Sequence, residues 1–308
     1  CLIFLSDLGI ARLLNLSWRS TAFALLVAAS FSFYPITAAT SGGQIEIAVL
    51  ALWTASILAY EEGLVVFSAI ALALATGLKI TPIFAVPLFI LWKDRRWLLT
   101  YAASVAALFA AMLAFNGAPT MAACFHYLRA MSASLPSLDN KCISAFVSLL
   151  GLGFTHRGLS DATRSVASAP LQFVARLTSF VFYAACLFLA WRNRRHAQSS
   201  ARTQLFAIFI LVAALTSPQT WRYGYAAALI PFALLWSGAL ERPVTRTRIA
   251  LLVIASVAVA TVVIDWTAGL RLPFLLSFTL AEIWTVSCVL LCLQVLANPQ
   301  PSDPEPST

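Results

Sequence analysis

Charge is what this chain has least of. Of its 308 residues, 10% are Asp, Glu, Lys or Arg, and only 12 are acidic. A soluble domain carries about 25% charged residues. With 61% hydrophobic residues and a mean hydropathy of +0.87, the deficit excludes a soluble globular protein, because no core of this size hides so much apolar surface. The solvent is lipid. Histidine is also scarce: His126, His156 and His196 are scattered. The six cysteines form no CxxC pair and no metal-ligand spacing, which argues against a zinc or redox centre. No metal and no cofactor are expected. Cys186, Cys288 and Cys292 lie in apolar runs and read as small core residues. Cys124 and Cys142 share one loop, and their pairing is left open. There is no convincing internal repeat, so the inverted repeats of many transporters are not evident. The chain opens on Cys1 inside an apolar run, CLIFL, without a charged n-region. An upstream part is expected to precede it.

The positive charge that is present has a pattern. The formal net charge is +8. Most of the cations fall in alternate gaps between apolar segments: Arg12 and Arg19; Lys93, Arg95 and Arg96; Arg192, Arg194, Arg195 and Arg202; Arg242, Arg246 and Arg248. Topology and anionic headgroups explain this better than nucleic acid does, so no nucleic-acid partner is expected. Apolar stretches separate these groups at 20–37, 45–60, 63–78, 80–92, 97–115, 170–191, 204–217, 224–240, 249–266 and 273–297, with an incomplete apolar end at 1–6. Most are roughly 15–25 residues long, which suits bilayer crossings; 80–92 and 204–217 are short. The expected fold is all-α: a polytopic transmembrane helical bundle of about ten spanning helices. Short Lys/Arg-rich loops stay cytoplasmic, which puts the Pro-rich tail 298–308 in the cytoplasm as a disordered segment. Residues 1–297 read as one transmembrane domain. The opposite side holds the long loop 116–169. In it, Met121, Cys124, Phe125, Leu128 and Met131 share one helical face, and Ile143, Phe146, Val147 and Leu150 share another. Both stretches read as short helices lying in the membrane interface.

Eight cations break the rule: Lys79, Arg129, Lys141, Arg157, Arg164, Arg176, Arg222 and Arg271. Ionisable groups in or beside spans are costly and stand as functional candidates. Lys79 either snorkels at a helix end or meets a lipid phosphate. Glu46 follows SGGQ and is either a first-turn acid facing the helix dipole or a partner for a substrate or Lys79. Asp265 beside Trp266 fits an interfacial belt. Glu282 lies deepest and has no evident partner. In TSPQTWRYGY (216–225), Trp221, Arg222, Tyr223 and Tyr225 form either an aromatic belt or a site where Arg222 forks a phosphate and the rings take a sugar. Asn140 and Lys141 sit between the two interfacial helices. His126 and Arg129 share the polar face of the first.

The order of motifs resembles glycosyltransferase family 87, the polyprenyl-phosphate-sugar-dependent membrane glycosyltransferases that include mannosyltransferases. The resemblance rests on SGGQ (41–44), ATGLKITP (75–82), RRW (95–97), DNK (139–141) and SPQTW (217–221), and covers most of residues 12–240. It implies a GT-C-like fold with its active site at the outer membrane face. It implies transfer of a hexose, mannose-like, from a polyprenyl-phosphate donor to a lipid or glycan acceptor, usually with inversion. Family members typically carry a catalytic carboxylate in the first outer loop, which is expected to lie upstream of this chain. They often carry a His shortly after the SPxxW tryptophan, where this chain has Tyr223 or its neighbours. Such chemistry needs a base for the acceptor hydroxyl and cations for the leaving phosphate, which Lys or Arg supply without an obligatory metal. Lys79, Arg222 and Lys141 are therefore expected to bind the donor phosphate. Gln44, Asn140, Trp221, Tyr223 and His126 are expected to contact sugar or acceptor. Glu46 is the nearby acid that could stand in as base. The expected setting is the bacterial inner membrane, with loop 116–169 outside. The rival readings are a transporter or lipid flippase, and an inactive remnant of the glycosyltransferase.

Overall fold

The computed structural model describes residues 1–131, 140–155, 167–193, 199–241, 245–260 and 274–298. Asp265, Trp266, Arg157, Arg164, Arg194, Arg195, Arg242, Arg271 and the tail 299–308 lie outside the described residues, as does the side chain of Arg129. The described elements are all helical, and the one β-type contact among them is an isolated antiparallel bridge between Asn140 and Trp221.

The chain begins with α1 (Leu2–Leu13), α2 (Thr21–Ser32) and α3 (Tyr34–Ser41). The expected straight segment 20–37 is instead bent by 54° between α2 and α3. Pro35 in the first turn of α3 explains the break, since its ring restricts the residue before it and it cannot donate back into α2. A turn through Gly43, at φ +61, then leads to α4 (Glu46–Glu61). No neighbour crowds Gly43; the left-handed backbone alone asks for glycine. α5 (Val65–Leu78) packs back along α4. The expected crossing 80–92 is a short 3-10 turn (Thr81–Ala85) continued by α6 (Val86–Leu91). Pro82 and Pro87 each occupy the first turn of one piece and keep the two from fusing into one long helix.

Asp94 caps α7 (Arg95–Met131) through a 3.0 Å bond from the Trp97 amide. This helix corrects the expected boundary at residue 116. It runs on past the apolar segment and is kinked at Gly117 (φ 74) beside Pro119. The stretch expected as a separate interfacial helix is thus the far arm of α7. Met121 is buried, while Cys124 and Phe125 are exposed.

α8 (Ile143–Thr155) forms where the second interfacial helix was expected. It is docked on protein, against α9 (Ala169–Asn193) and helices named below. Its buried line is Ile143, Ala145, Ser148, Leu149 and Leu152 rather than Phe146, Val147 and Leu150. Small side chains let the backbones close; a Cβ added to Gly151 would come within 2.5 Å of Leu171 Cδ1.

α10 (Ser199–Thr216) is the centre of the bundle. Every residue from 205 to 215 is buried, the mark of a helix surrounded on all faces. A 3-10 turn (Arg222–Ala228) follows, then α11 (Leu229–Glu241), α12 (Arg246–Ala260) and α13 (Phe274–Ala297). α8 also touches α10 and α13. Among the described residues two helices, Arg95–Tyr127 and Ala169–Asn193, are long and apolar enough to cross a bilayer, or three spans if the bent α2–α3 pair counts as one; Val65–Leu78, Thr81–Leu91, Ile143–Leu152, Ala201–Thr216 and Glu282–Ala297 are shorter apolar helices.

Contacts sort the loops to two ends. At one end Arg12 pairs with Glu62 at 2.9 Å, Thr203 bonds Glu61, and the Arg202 guanidinium lies 6.0 Å from the centre of the Trp92 ring. Arg192 and Asn193 donate to the carbonyls of Ala297 and Leu296, and Arg248 to that of Asn298. Arg12, Arg192, Arg202 and Arg248, one or more from three of the basic groups that alternate in sequence, are thus tied to loops and helix ends at this side of the bundle. The opposite end holds the rule-breaking cations described next.

Candidate functional site

The turn after α3 delivers Glu46 as the first residue of α4, at 5% exposure. A carboxylate there faces the positive end of the helix dipole. Lys79 is the residue that ends α5, in extended conformation (φ −150, ψ 129) just before the Thr81–Ala85 turn. Its Nζ donates to Glu46 Oε1 at 2.8 Å. The lysine passes over the start of the Arg222–Ala228 turn, and Gly224 makes that possible. A Cβ on Gly224 would lie 3.0 Å from both Lys79 Nζ and Thr220 Cγ2.

A cavity of about 20 Å³ lies between these groups, lined by Glu46, Lys79, Thr81, Thr220 and Gly224 with Trp53 and other apolar side chains. That is room for about one water molecule. Two of its lining oxygens, Glu46 Oε2 and Thr220 Oγ1, are buried without a hydrogen-bond partner. Buried polar atoms of that kind carry a desolvation cost unless something meets them.

Thr220 joins this cavity to the segment before α8. Its amide donates to Asn140 Oδ1 at 2.9 Å, and its carbonyl accepts from the Lys141 amide at 2.8 Å. Asn140 Nδ2 donates to the Pro218 carbonyl at 3.4 Å, and Cys142 Sγ donates to the same oxygen at 3.3 Å. The Lys141 carbonyl accepts from Tyr225 Oη at 2.7 Å. Asn140–Cys142 and the SPQTW stretch are thus one hydrogen-bonded clasp, though 80 residues separate Asn140 from Thr220; Asp139 of the DNK motif lies outside the described residues. Cys142 is a free thiol inside this clasp and Cys124 is an exposed one, so the two cysteines are not bonded.

The Lys141 side chain runs inward. Its Nζ meets Glu282 Oε1 at 3.0 Å with both side chains sealed from solvent, and Thr285 Oγ1 donates to the other carboxylate oxygen at 2.8 Å. Glu282 has a partner after all, one that sequence spacing had no means of naming. Arg222 is half-buried; its guanidinium lies 5.8 Å from the Tyr34 ring centre, and Nη1 donates to Tyr34 Oη at 3.5 Å.

Of the expected site residues, Glu46, Lys79, Asn140, Lys141, Trp221 and Arg222 are brought into one region. Tyr223 stands half-buried in the same 3-10 turn. Gln44 is exposed on the turn before α4, with Nε2 bonded to the Gly42 carbonyl at 3.3 Å. His126 is exposed on the far arm of α7, and among the described residues no hydrogen bond or ion pair ties it to the cluster.

Sequence reasoning missed Thr220, Gly224 and Tyr34, which carry no unusual signal by themselves. It also missed Asp7, which is buried in α1 and accepts from Ser30 Oγ at 2.5 Å. An acid inside an apolar helix is a visible signal. It escaped because the apolar run reads as ending at residue 6, whereas α1 continues to Leu13.

The family model of glycosyltransferase family 87 matches residues 2–218. This chain belongs to glycosyltransferase family 87. It is a membrane glycosyltransferase, with a sugar donor and an acceptor as substrates. No curated protein and no solved structure matches it. The match takes in Glu46, Lys79, Asn140 and Lys141 and stops at Pro218. Thr220, Trp221, Arg222 and Glu282 lie beyond the matched residues and enter the site through the contacts above.

Proposed function

We propose that this glycosyltransferase moves a mannose-like hexose from a polyprenyl-phosphate donor to a lipid or glycan acceptor at the outer face of the bacterial inner membrane. In this reading the basic end of the bundle is cytoplasmic, following the positive-inside rule, and the chain crosses the bilayer about ten times. The observation that carries the reading is the convergence of Lys79, Arg222, Trp221, Asn140 and Glu46 around Thr220, at the end opposite the basic loops.

In the reaction the acceptor oxygen bonds to the anomeric carbon as the bond from that carbon to the phosphate oxygen breaks. The electron pair leaves with the phosphate, and the acceptor proton goes to a carboxylate. Lys79 and Arg222 hold the phosphate and stabilise its growing charge. Trp221 and Tyr223 offer ring faces, and Gln44 and Asn140 polar groups, to sugar or acceptor. Glu46 orients Lys79 with one oxygen and keeps the other toward the cavity, which makes it the candidate base. Lys141, sealed against Glu282, braces the clasp from beneath rather than touching the donor.

The test uses the full-length protein and a polyprenyl-phosphate mannose donor. Lys79→Ala and Arg222→Ala are each expected to lower turnover on the order of 100-fold, the scale of losing one preorganised transition-state contact. Normal turnover and donor affinity in both variants would falsify the assignment. A topology reporter fused at residue 140 should read outside; a cytoplasmic reading inverts the orientation.

A further inference from the structure

A second cavity lies away from the Glu46 site. It holds about 220 Å³ and is lined by Phe84, Ser144, Arg176, Ser179, Phe180, Tyr183, Thr216 and Pro218. It shares no lining residue with the cavity at Glu46 and Lys79. Arg176, Ser179, Phe180 and Tyr183 follow the i, i+3, i+4, i+7 spacing of one helical stripe, so α9 forms one wall. That wall is open to the surroundings on its flank: Phe173, Phe180 and Val181 are 66%, 67% and 57% exposed. Lipid tails meet these side chains.

Two observations give this groove a ligand. Arg176 is exposed at its mouth, and among the described residues no carboxylate lies within ion-pair distance of it. It stands in the second turn of α9, about 10 Å from the helix start, where a long arginine reaches headgroup level. One turn further in, Ser179 is buried (7% exposed), lines the groove, and its Oγ has no hydrogen-bond partner. A cation at the rim, an unmet hydroxyl inside and an apolar flank fit an amphiphile with a negative head. Arginine binds phosphate oxygens as a fork. Phe84, Phe180 and Tyr183 then follow the first carbons of a chain.

We infer that this groove binds the headgroup of an anionic phospholipid from the surrounding bilayer, with Arg176 on the phosphate and Ser179 on a headgroup or glycerol oxygen. One uncompensated cation matches one net negative charge. The groove shares no lining residue with the cavity at Glu46 and Lys79, and it borders the clasp at Pro218.

The experiment is native mass spectrometry of the full-length protein titrated with phosphatidylglycerol or with phosphatidylcholine. The wild type is expected to retain one more phosphatidylglycerol than Arg176→Gln, with an affinity about tenfold higher, the scale of one charge-assisted hydrogen-bond pair. Arg176→Lys, which keeps the charge and loses the fork, should fall between them, and phosphatidylcholine should bind like the Gln variant. Equal binding of phosphatidylglycerol by wild type and Arg176→Gln overturns the proposal, as does equal binding of the two lipids. Excess polyprenyl monophosphate should leave the bound phosphatidylglycerol in place. If it displaces that lipid, the groove belongs to the donor and the phospholipid assignment fails, while the sugar-transfer reading survives.

Discussion

Lys141 and Glu282 meet at 3.0 Å with their side chains 0% and 1% exposed, whereas Lys79 and Glu46 meet at 2.8 Å with 20% and 6%. The two pairs have the same chemistry and are joined through one residue, Thr220. The first is closed: Thr285 satisfies the remaining oxygen of Glu282, and backbone bonds hold Lys141 on either side. The second is left open, with Glu46 Oε2 unmet beside a cavity and the Lys79 side chain partly exposed. A fully enclosed pair keeps its charges from solvent and from any ligand that arrives through it. A half-open pair keeps a cation and a carboxylate oxygen at hand. In the proposed function the open pair works on the donor and the closed pair braces it, a division that residue type does not make.

The comparison can be broken most forcefully at the closed pair. Glu282→Ala leaves the Lys141 ammonium buried without a counter-charge and should cost about 3–5 kcal/mol, read as a lower thermal midpoint in detergent. Replacing both residues by apolar ones, Lys141→Met with Glu282→Leu, should recover most of the loss, because the penalty comes from stranding one charge. If the single variant melts like the wild type, Lys141 is no brace. The open pair should respond the other way round. Lys79→Ala is expected to cut sugar transfer on the order of 100-fold with a smaller fall in stability than Glu282→Ala, since water can enter beside Glu46.

Gly224→Ala is a gentler probe of the same contrast. Its Cβ would press on Lys79 Nζ from 3.0 Å, so the lysine must shift by a few tenths of an ångström. Turnover should drop about tenfold through misplacement, and the thermal midpoint should fall less than for Glu282→Ala, although the same Cβ also meets Thr220 Cγ2 at 3.0 Å. An unaltered rate would mean that the position of Lys79 does not matter. Smallest of all, Arg12→Ala removes an exposed pair with Glu62, whose side chains are 72% and 38% exposed. Its effect on the thermal midpoint should correspond to less than about 1 kcal/mol, and activity should stay unchanged.

Much of the site was legible as a roster. Lys79, Lys141 and Arg222 stood out because they break the alternation of basic loops, and Glu46 because an acid opens a span. Its wiring was not legible. Nothing in spacing says that Lys141 reaches Glu282, 141 residues away, or that Thr220 is the residue both pairs share. Long-range pairing depends on how helices settle against one another, and a buried charge accepts whichever opposite charge packing brings near. The α8 face illustrates the same limit. Apolar periodicity pointed to Ile143, Phe146, Val147 and Leu150, yet of these α8 buries only Ile143, together with Ala145, Ser148, Leu149 and Leu152, because the helices it docks against decide which side is covered.

The scarcity of charge and the apolar runs by themselves determined that this chain is helical and lives in a membrane, because in lipid every backbone polar group must be satisfied within its own segment. The short motifs, read in order, were enough to point to the family. Only the tertiary structure decided where helices bend, at Pro35 and Gly117, and how the eleven residues Thr81–Leu91 divide into two pieces. It alone decided which lysine is sealed and which is left open. That choice rests on the space between packed helices, which local sequence does not encode.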